Sequence, residues 1–297
     1  MVEYVVEALA DVSLACDEPL KSMDWMSPFV WRDGAILSMM MRGVPNPLGP
    51  NDPTGVIWRG QSRDGLTFVI DPRPAIAPGP KDIDAGGVED PTVQVTRDGL
   101  TVYYTGVERG RRQGALLAAS GADAERLAKQ AVELKAPDGQ GNIKEATLAQ
   151  APDGSWRLFY EFAREDSSRI GMAQADSIGD AWTPVSEPVP IRPGSWDNWH
   201  LSTGPIVSVP GRDPVMFYNG ATHDARWRIG WVSFNADFTA VTDRSIEPML
   251  SPPPATDRAA TDIAFAGSAI VADDGCIHLY YSLEDRRLAR AVVRALD

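Results

Sequence analysis

Six times along the chain a short polar turn ending in Gly or Pro stands directly before an apolar, aromatic-rich run. The copies are Arg32-Asp33-Gly34 before AILSMMM, Arg63-Asp64-Gly65 before LTFVI, Arg97-Asp98-Gly99 before LTVYYTG, Pro152-Asp153-Gly154 before SWRLFYEF, Arg212-Asp213-Pro214 before VMFYNG and Asp273-Asp274-Gly275 before CIHLYYS. Asp-Gly supplies the positive φ that a tight hairpin demands, and the β-branched and aromatic residues that follow suit a pleated sheet. Most copies recur at the scale of one four-stranded propeller blade, with Arg63-Asp64-Gly65 closing a second hairpin inside the first. The spacing predicts an all-β fold, a five-bladed β-propeller, formed by a single domain over residues 1–297. In such a fold the inner strands converge on a hub, so chemistry belongs at the starts of those strands and not in the turns.

The rest of the composition narrows the function. Twenty-four prolines and 26 glycines are spread evenly, with no linker or low-complexity tract, which fits many short connections. A net charge of −13 disfavours nucleic acid or an anionic membrane as a partner, since both need a basic face. The first twenty residues carry acids where a secretory signal carries Lys or Arg, and no stretch approaches the ~20 apolar residues of a membrane span, so a cytoplasmic protein is expected. Cys16 and Cys276 are expected to be reduced packing residues. Three histidines without metal-ligand spacing predict no metal site, and Gly139-Gln140-Gly141 lacks a following helix, so no nucleotide cofactor is expected. A homo-oligomer is left open. One segment departs from the β pattern: Ala122 to Lys135 is rich in helix formers and predicts a short helix.

The predicted inner strands begin at Met23-Asp24-Trp25, Val88-Glu89-Asp90-Pro91, Asn142-Ile143-Lys144-Glu145, Trp199-His200-Leu201 and Asp262-Ile263-Ala264. Each opens polar or aromatic and turns apolar, as a strand entering the fold from a solvent-filled hub would. Asp24, Asp90 and Glu145 are therefore candidates, joined by Glu161 inside LFYEF and Asp285 inside YYSLED. An acid among aromatic residues is costly unless paired or functional. Taken singly, each could cap a loop amide or pair with Arg; as a set at corresponding repeat positions they point to chemistry. Two carboxyls across a pocket, one protonated and one ionised, are what glycosidic bond cleavage needs. Trp25, Trp58, Trp196 and Trp199 offer flat faces for sugar rings, although blades also pack aromatics between sheets.

The string Ser62-Arg63-Asp64-Gly65-Leu66-Thr67-Phe68, then GVEDPTV, VYYTG, KEATL, GPIV, MFYNG, RIGWVSF, PMLSP and FAGSAIVADDGCIHLYYSLED, resembles glycoside hydrolase family 130 in order and spacing from about Ser27 onward. The resemblance implies a five-bladed propeller acting on β-mannosides by phosphorolysis or hydrolysis. It implies that Asp90 is the proton donor, that Asp285 is a sugar-binding acid, that Arg42 lines the pocket, and that Lys144 is the lysine of the family's Lys-Asp or Lys-Asn pair. The chain departs from the phosphorylases at three places, with Thr92 where they carry Arg, Asn219 where they carry His, and Glu161 near a further expected Arg. Those cations would hold phosphate. The related propeller glycosidases of families 32 and 43 imply instead Asp24, Asp90 and Glu145 as the acidic set, with Glu145 as rival donor; the base is then Glu145 or Glu161.

The leading expectation is a glycosidase that hydrolyses short β-linked, mannose-containing oligosaccharides with Asp90, Glu145 and Glu161 as catalytic residues. Asp24, Arg42, Arg59, Lys144, Trp199, His200, Asn219 and Asp285 are the expected substrate-binding set. Two alternatives stand beside it. One is a phosphorylase whose anion site uses Arg42, Lys144 and Arg59; the other is a sugar-binding propeller without turnover.

Overall fold

The computed structural model describes residues 3–97, 99–110, 114–135, 141–209, 211–254 and 262–296. Among them there is no α-helix; two single 3-10 turns interrupt an otherwise all-β chain. No helix among the described residues is long and apolar enough to cross a membrane. The chain opens with β1 (Glu3–Ala15) and then forms four hairpin-connected strands, β2 (Met23–Asp33), β3 (Ile36–Pro45), β4 (Val56–Ser62) and β5 (Thr67–Ile70). Two further fans repeat the pattern: β6 (Gly87–Thr96), β7 (Gly99–Val107), β8 (Gly114–Gly121) and β9 (Ala128–Leu134), then β10 (Gly141–Gln150), β11 (Trp156–Arg164), β12 (Ser167–Ala175) and β13 (Thr183–Ser186).

The fourth fan is bent into two small sheets. One holds β14 (His200–Ser202), β17 (Asn219–Ala221) and β18 (Trp227–Ile229); the other holds β15 (Ile206–Val207), β16 (Val215–Met216), β19 (Val232–Phe234) and β20 (Val241–Arg244). Backbone bonds from Phe217 N–H to the Pro205 carbonyl and from Gly230 N–H to the Tyr218 carbonyl cross the gap, so the two are halves of one fan. The last fan is β21 (Ala264–Val271), β22 (Ile277–Leu283) and β23 (Arg287–Leu296), completed by β1 as its outer strand. The end of β1 also pairs in parallel with β5, which merges the first and last fans into one eight-stranded sheet.

Apolar side chains alternate along these strands and fill the space between neighbouring fans. Met40 and Ile57 meet Val88 and Val102; Leu116 meets Leu158; Phe159 and Ile170 meet Leu201 and Met216; Phe217 and Ile229 meet Leu279 and Ala291; Tyr280 and Leu288 meet Trp25 and Met39. Five separate cores therefore run round the molecule, the last joining the final fan back to the first. Full burial of each large side chain contributes ~1.5–3 kcal/mol, so these seams hold the fans together.

The hairpin expectation holds at the turns. Gly34, Gly65, Gly154 and Gly275 all adopt positive φ between paired strands, and the Asp64 carboxylate, held to about 2 by the amides of Thr67 and Leu66, caps its turn. The 97–99 turn includes Asp98, which lies outside the described residues, as do Gly139 and Gln140. The helix expected over Ala122 to Lys135 is not there. Residues 128–134 form β9, paired antiparallel with β8, because the open edge of β8 and the burial of Leu134 outweigh helix propensity.

Every innermost strand is broken at the same level. Between Met26 and Phe29, Glu89 and Thr92, Lys144 and Thr147, and Ala266 and Ser268 the register slips by one extra residue, and β14 is separated from β15 by Thr203-Gly204-Pro205. Side-chain hydrogen bonds stitch each break to its neighbour. Thr92 Oγ1 donates to the Ala146 carbonyl (2.5 Å), Thr147 Oγ1 to the Gly204 carbonyl (3.0 Å) and Ser268 Oγ to the Pro28 carbonyl (2.8 Å). Ser27 Oγ donates to Asp90 Oδ1 (2.8 Å), and Asn219 both donates to and accepts from the backbone of Ala266 (3.2 and 2.7 Å). The stitches close a circle through all five innermost strands. Replacing Asn219 with Ala orphans the buried Ala266 amide and is expected to cost about 2–3 kcal/mol in urea unfolding; a loss below about 0.5 kcal/mol would show that the circle does not hold the fans.

Candidate active site

The breaks place acids at the centre of the ring. A bulge lets two residues of one strand face one of its partner, turning the extra side chain away from the sheet's alternation. Here the extra residues are Ser27, Asp90 and Glu145, with φ of 51°, 51° and 54°. Non-glycine residues avoid that region because Cβ crowds the backbone, so holding three of them there takes strain that the surrounding hydrogen bonds must sustain.

Asp90 is buried, and its two oxygens accept from Ser27 Oγ (2.8 Å) and Thr105 Oγ1 (3.3 Å), with Arg42 Nη1 at 3.9 Å. Arg42, opposite Met26 on β3, donates to the Thr54 carbonyl and forms a 2.8 Å ion pair with Glu89. Lys144 and Glu161 face each other across β10 and β11, with Nζ 3.5 Å from Oε1, and Ser168 Oγ donates to the same oxygen (2.8 Å). Glu161 Oε2 is buried with no hydrogen-bond partner.

Charge ties these groups into one cluster. Burial pushes the Glu145 carboxyl well above the usual carboxylate range, and the Asp90 charge adds to this; Lys144 opposes the rise and Glu161 reinforces it. Glu89 is also raised, first by burial, with Arg42 opposing and Asp90 adding. Lys144 is raised by Glu161 foremost, against burial, and then by Asp90, Glu145 and Glu89. Its side chain keeps 35% of its area open, and Glu161, Asp90, Glu145 and Glu89 all act on its charge. Four carboxyls facing two cations raise the cost of ionising Glu145 and Glu89, the two that are pushed upward.

The remaining expected residues sort by position. His200 abuts the cluster: its Nδ1 accepts from the Ser168 amide (3.2 Å), and burial lowers its pKa against the pull of Glu161. Trp199 packs edge-on beside it, its Nε1 donating to the Asp166 carbonyl. Asp24 and Asp285 stand at the junction of the first and last fans. Asp24 accepts from Asn46 and lies 4.0 Å from Arg286, and Asp285 occupies the β22–β23 turn with φ 51°.

Two residues lie elsewhere. Arg59 pairs with Asp71 (3.3 Å) and Glu125 (3.5 Å) in a cleft between the outer parts of the first two fans, remote from the acids. Asn219 is fully buried, its amide used by Thr203 and Ala266 as a stitch. Trp25, Trp58 and Trp196 are packing residues, since Trp25 is in the core, Trp58 packs against it and Trp196 stacks on Tyr218. Sequence reasoning passed over Glu89, Ser27, Thr105 and Ser168. Ser27-Pro28 and Asp90-Pro91 share their place in the repeat, a signal that could have found Ser27.

No family model and no curated protein sequence matches the chain. Solved structures do. A β-1,2-mannobiose phosphorylase from Listeria innocua, in complex with β-1,2-mannobiose, superposes with a TM-score of 0.76 at 18% identity, over 96% of this chain and 90% of that one. A protein of the GH130 family of mannoside phosphorylases, described as containing glycoside hydrolases that target β-1,2-mannosidic linkages in Candida mannan, gives 0.75 at 20% identity over 91% and 84%. A mannose phosphorylase from Leishmania mexicana, bound to phosphate, gives 0.70 at 13% identity over 97% and 88%. The chain has the fold of the GH130 mannoside phosphorylases, in line with the resemblance read from its motifs.

The raised Glu145 pKa has a consequence for stability. Because the folded value exceeds the unfolded one, the folded state binds the extra proton between them, and stability falls as pH rises through that window. Glu145→Gln removes this penalty. The variant is expected to be more stable than the natural protein at pH 7 and little different at pH 4, measured by chemical denaturation; equal stability at both pH values would contradict the raised Glu145 carboxyl.

Proposed function

We propose that the chain is a carbohydrate-active enzyme of the GH130 type that hydrolyses short β-linked, mannose-containing oligosaccharides on a five-bladed propeller. The circle of five fans, closed by β1, supports the propeller. The observation that carries the activity is the Asp90–Glu145 pair. Two carboxyls occupy equivalent bulges, and burial together with the Asp90 charge pushes Glu145 toward its protonated form. Two carboxyls in one cluster, with Glu145 pushed toward its protonated form, suit general acid catalysis at a glycosidic oxygen.

The charges favour Glu145 over Asp90 as donor, reversing the order that the resemblance implies. Glu145 protonates the leaving oxygen as the bond from the anomeric carbon to that oxygen breaks. A water attacks the anomeric carbon and gives up its proton to Glu161, whose Oε2 is the carboxylate oxygen without a partner. Asp90, held by Ser27, Thr105 and Arg42, sustains the Glu145 proton and offsets positive charge at the anomeric centre. An acid and a base acting through an intervening water in this way invert the anomeric configuration.

Water is favoured over phosphate on electrostatic grounds. Thr92 and Asn219, where the resemblance expects cations, are consumed by stitches, and Glu161 adds a negative charge. Arg42 is engaged by Glu89 and Asp90, and Lys144 by Glu161. A phosphate dianion would enter a site with more acids than bases.

Two measurements test this reading. In phosphate-free buffer, β-mannobiose is expected to give free mannose of inverted configuration, and adding phosphate should leave the product unchanged; a sugar 1-phosphate as the main product would establish phosphorolysis. Glu145→Gln is expected to lose ~10²–10⁴ in kcat on the disaccharide and recover on an aryl glycoside with a good leaving group. Asp90→Asn should lose activity on both. Recovery by Asp90→Asn alone would make Asp90 the donor.

A further inference from the structure

The strand pattern puts an arginine where an aliphatic residue would fit at lower cost. Along β4, Ile57 and Arg59 share a face, and Ile57 belongs to the apolar seam between the first two fans with Met40, Val88 and Ala124. Arg59 stands opposite Met40 in the register and extends that seam outward, yet it is only 9% exposed. A guanidinium taken out of water is costly unless hydrogen bonds replace its hydration. Here the replacement is incomplete. Nε lies 3.3 Å from Asp71 Oδ2 and Nη1 lies 3.5 Å from Glu125 Oε1, and the buried Nε has no hydrogen-bond partner.

The two acids are unequal neighbours. Glu125 sits on the turn between β8 and β9 with 74% of its side chain open to water, against 35% for Asp71. Burial pushes the Asp71 carboxyl upward, with Arg59 opposing and Glu125 adding to the rise, so the two carboxyls crowd one guanidinium. That guanidinium faces a cavity of about 470 Å3, whose wall also carries Arg73 and Arg126. Arg126 is engaged by Asp123. Arg73 stands between Pro72 and Pro74, which fix the backbone on either side of it, and the Ala75 amide then returns to the Ile57 carbonyl of β4 (2.8 Å). Two guanidiniums, one buried with an unused donor and one on a stiff rim, therefore line a cavity of a size that takes a small molecule.

We propose that Arg59 and Arg73 form a binding site, separate from the acidic cluster, for the oxyanion of a phosphorylated or carboxylated small molecule. Glu125 holds the place of that oxyanion, and the ligand displaces it outward into water. A phosphate or carboxylate presents paired oxygens to the planar fork of a guanidinium, so it supplies the acceptor that the Arg59 Nε lacks. Arg73 adds a second positive charge. An anion held here takes no part in cleavage, and the site stands independently of the hydrolase reading.

Equilibrium dialysis in chloride buffer tests it with inorganic phosphate, malonate and glucose 6-phosphate as probes. The natural protein is expected to hold one equivalent of phosphate. Arg73→Gln should weaken that binding about tenfold, and Glu125→Gln, which removes the competing carboxylate, should tighten it about threefold. Both side chains are exposed, so these variants keep the fold where a change at the buried Arg59 could lose it. The probes separate the sources of the anion: glucose 6-phosphate held about tenfold more tightly than phosphate assigns the site to a phosphorylated sugar-sized molecule, and malonate as the tightest probe assigns it to a carboxylate. No binding of any probe, binding that both variants leave unchanged, or displacement of bound phosphate by β-mannobiose would overturn the site. Mannobiose cleavage in phosphate-free buffer is expected to be the same in both variants as in the natural protein, so neither reading falls with the other.

Discussion

Hydroxyl and amide side chains that stitch one broken innermost strand to the next are the contact on which the rest of the molecule depends. A continuous strand could satisfy its own alternation, but a strand with one extra residue leaves backbone carbonyls facing the ring with no partner in their own sheet. Thr92, Thr147 and Ser268, each just past its break, supply the missing donors to Ala146, Gly204 and Pro28 of the neighbouring fan. Each bond is worth only ~0.5–1.5 kcal/mol net, yet a buried carbonyl left alone would cost more. The circle thus fixes the relative height of the fans, and the apolar seams between them add cohesion.

The same breaks make the site. Where the extra residue can be small, close backbone approach takes over: a Cβ on Gly204 would stand 1.8 Å from the Phe217 carbonyl oxygen. Where it is Asp90 or Glu145, the positive φ turns an acid toward the centre. The proposed chemistry is therefore assigned to positions at which the strand pattern fails, and the failure is sustained by the stitches on either side. Charge crowding follows from the geometry. Arg42 and Lys144 partly offset four acids, and the remaining crowding, with burial, pushes the Glu145 carboxyl upward.

Much of this was legible in the residues. The Asp-Gly turns are local signals, because positive φ and the next strand's composition are read within a few residues, and the strand entries carrying Asp90, Lys144 and Glu145 followed from them. Residues 128–134 misled because helix propensity is weak against an unpaired strand edge next to it. Asn219 and Thr92 were read as substitutes for phosphate-binding cations, while their partners, Ala266 and Ala146, lie 47 and 54 residues away. No local pattern announces a bond of that kind. Arg59 shows the converse, since a cation near pocket-lining strands can turn outward and pair with Asp71 and Glu125.

The upward push on the Glu145 carboxyl by burial and the Asp90 charge underlies the proposed acid, and carbon-13 NMR of side-chain carboxyls reads it directly. In protein labelled at the glutamate carboxyl carbon, the resonance lost in Glu145→Gln is expected to titrate well above the ordinary value of 4.5, and to fall toward it when Asp90 is replaced by Asn. A Glu145 resonance that titrates in the ordinary range and ignores the Asp90 substitution would contradict it.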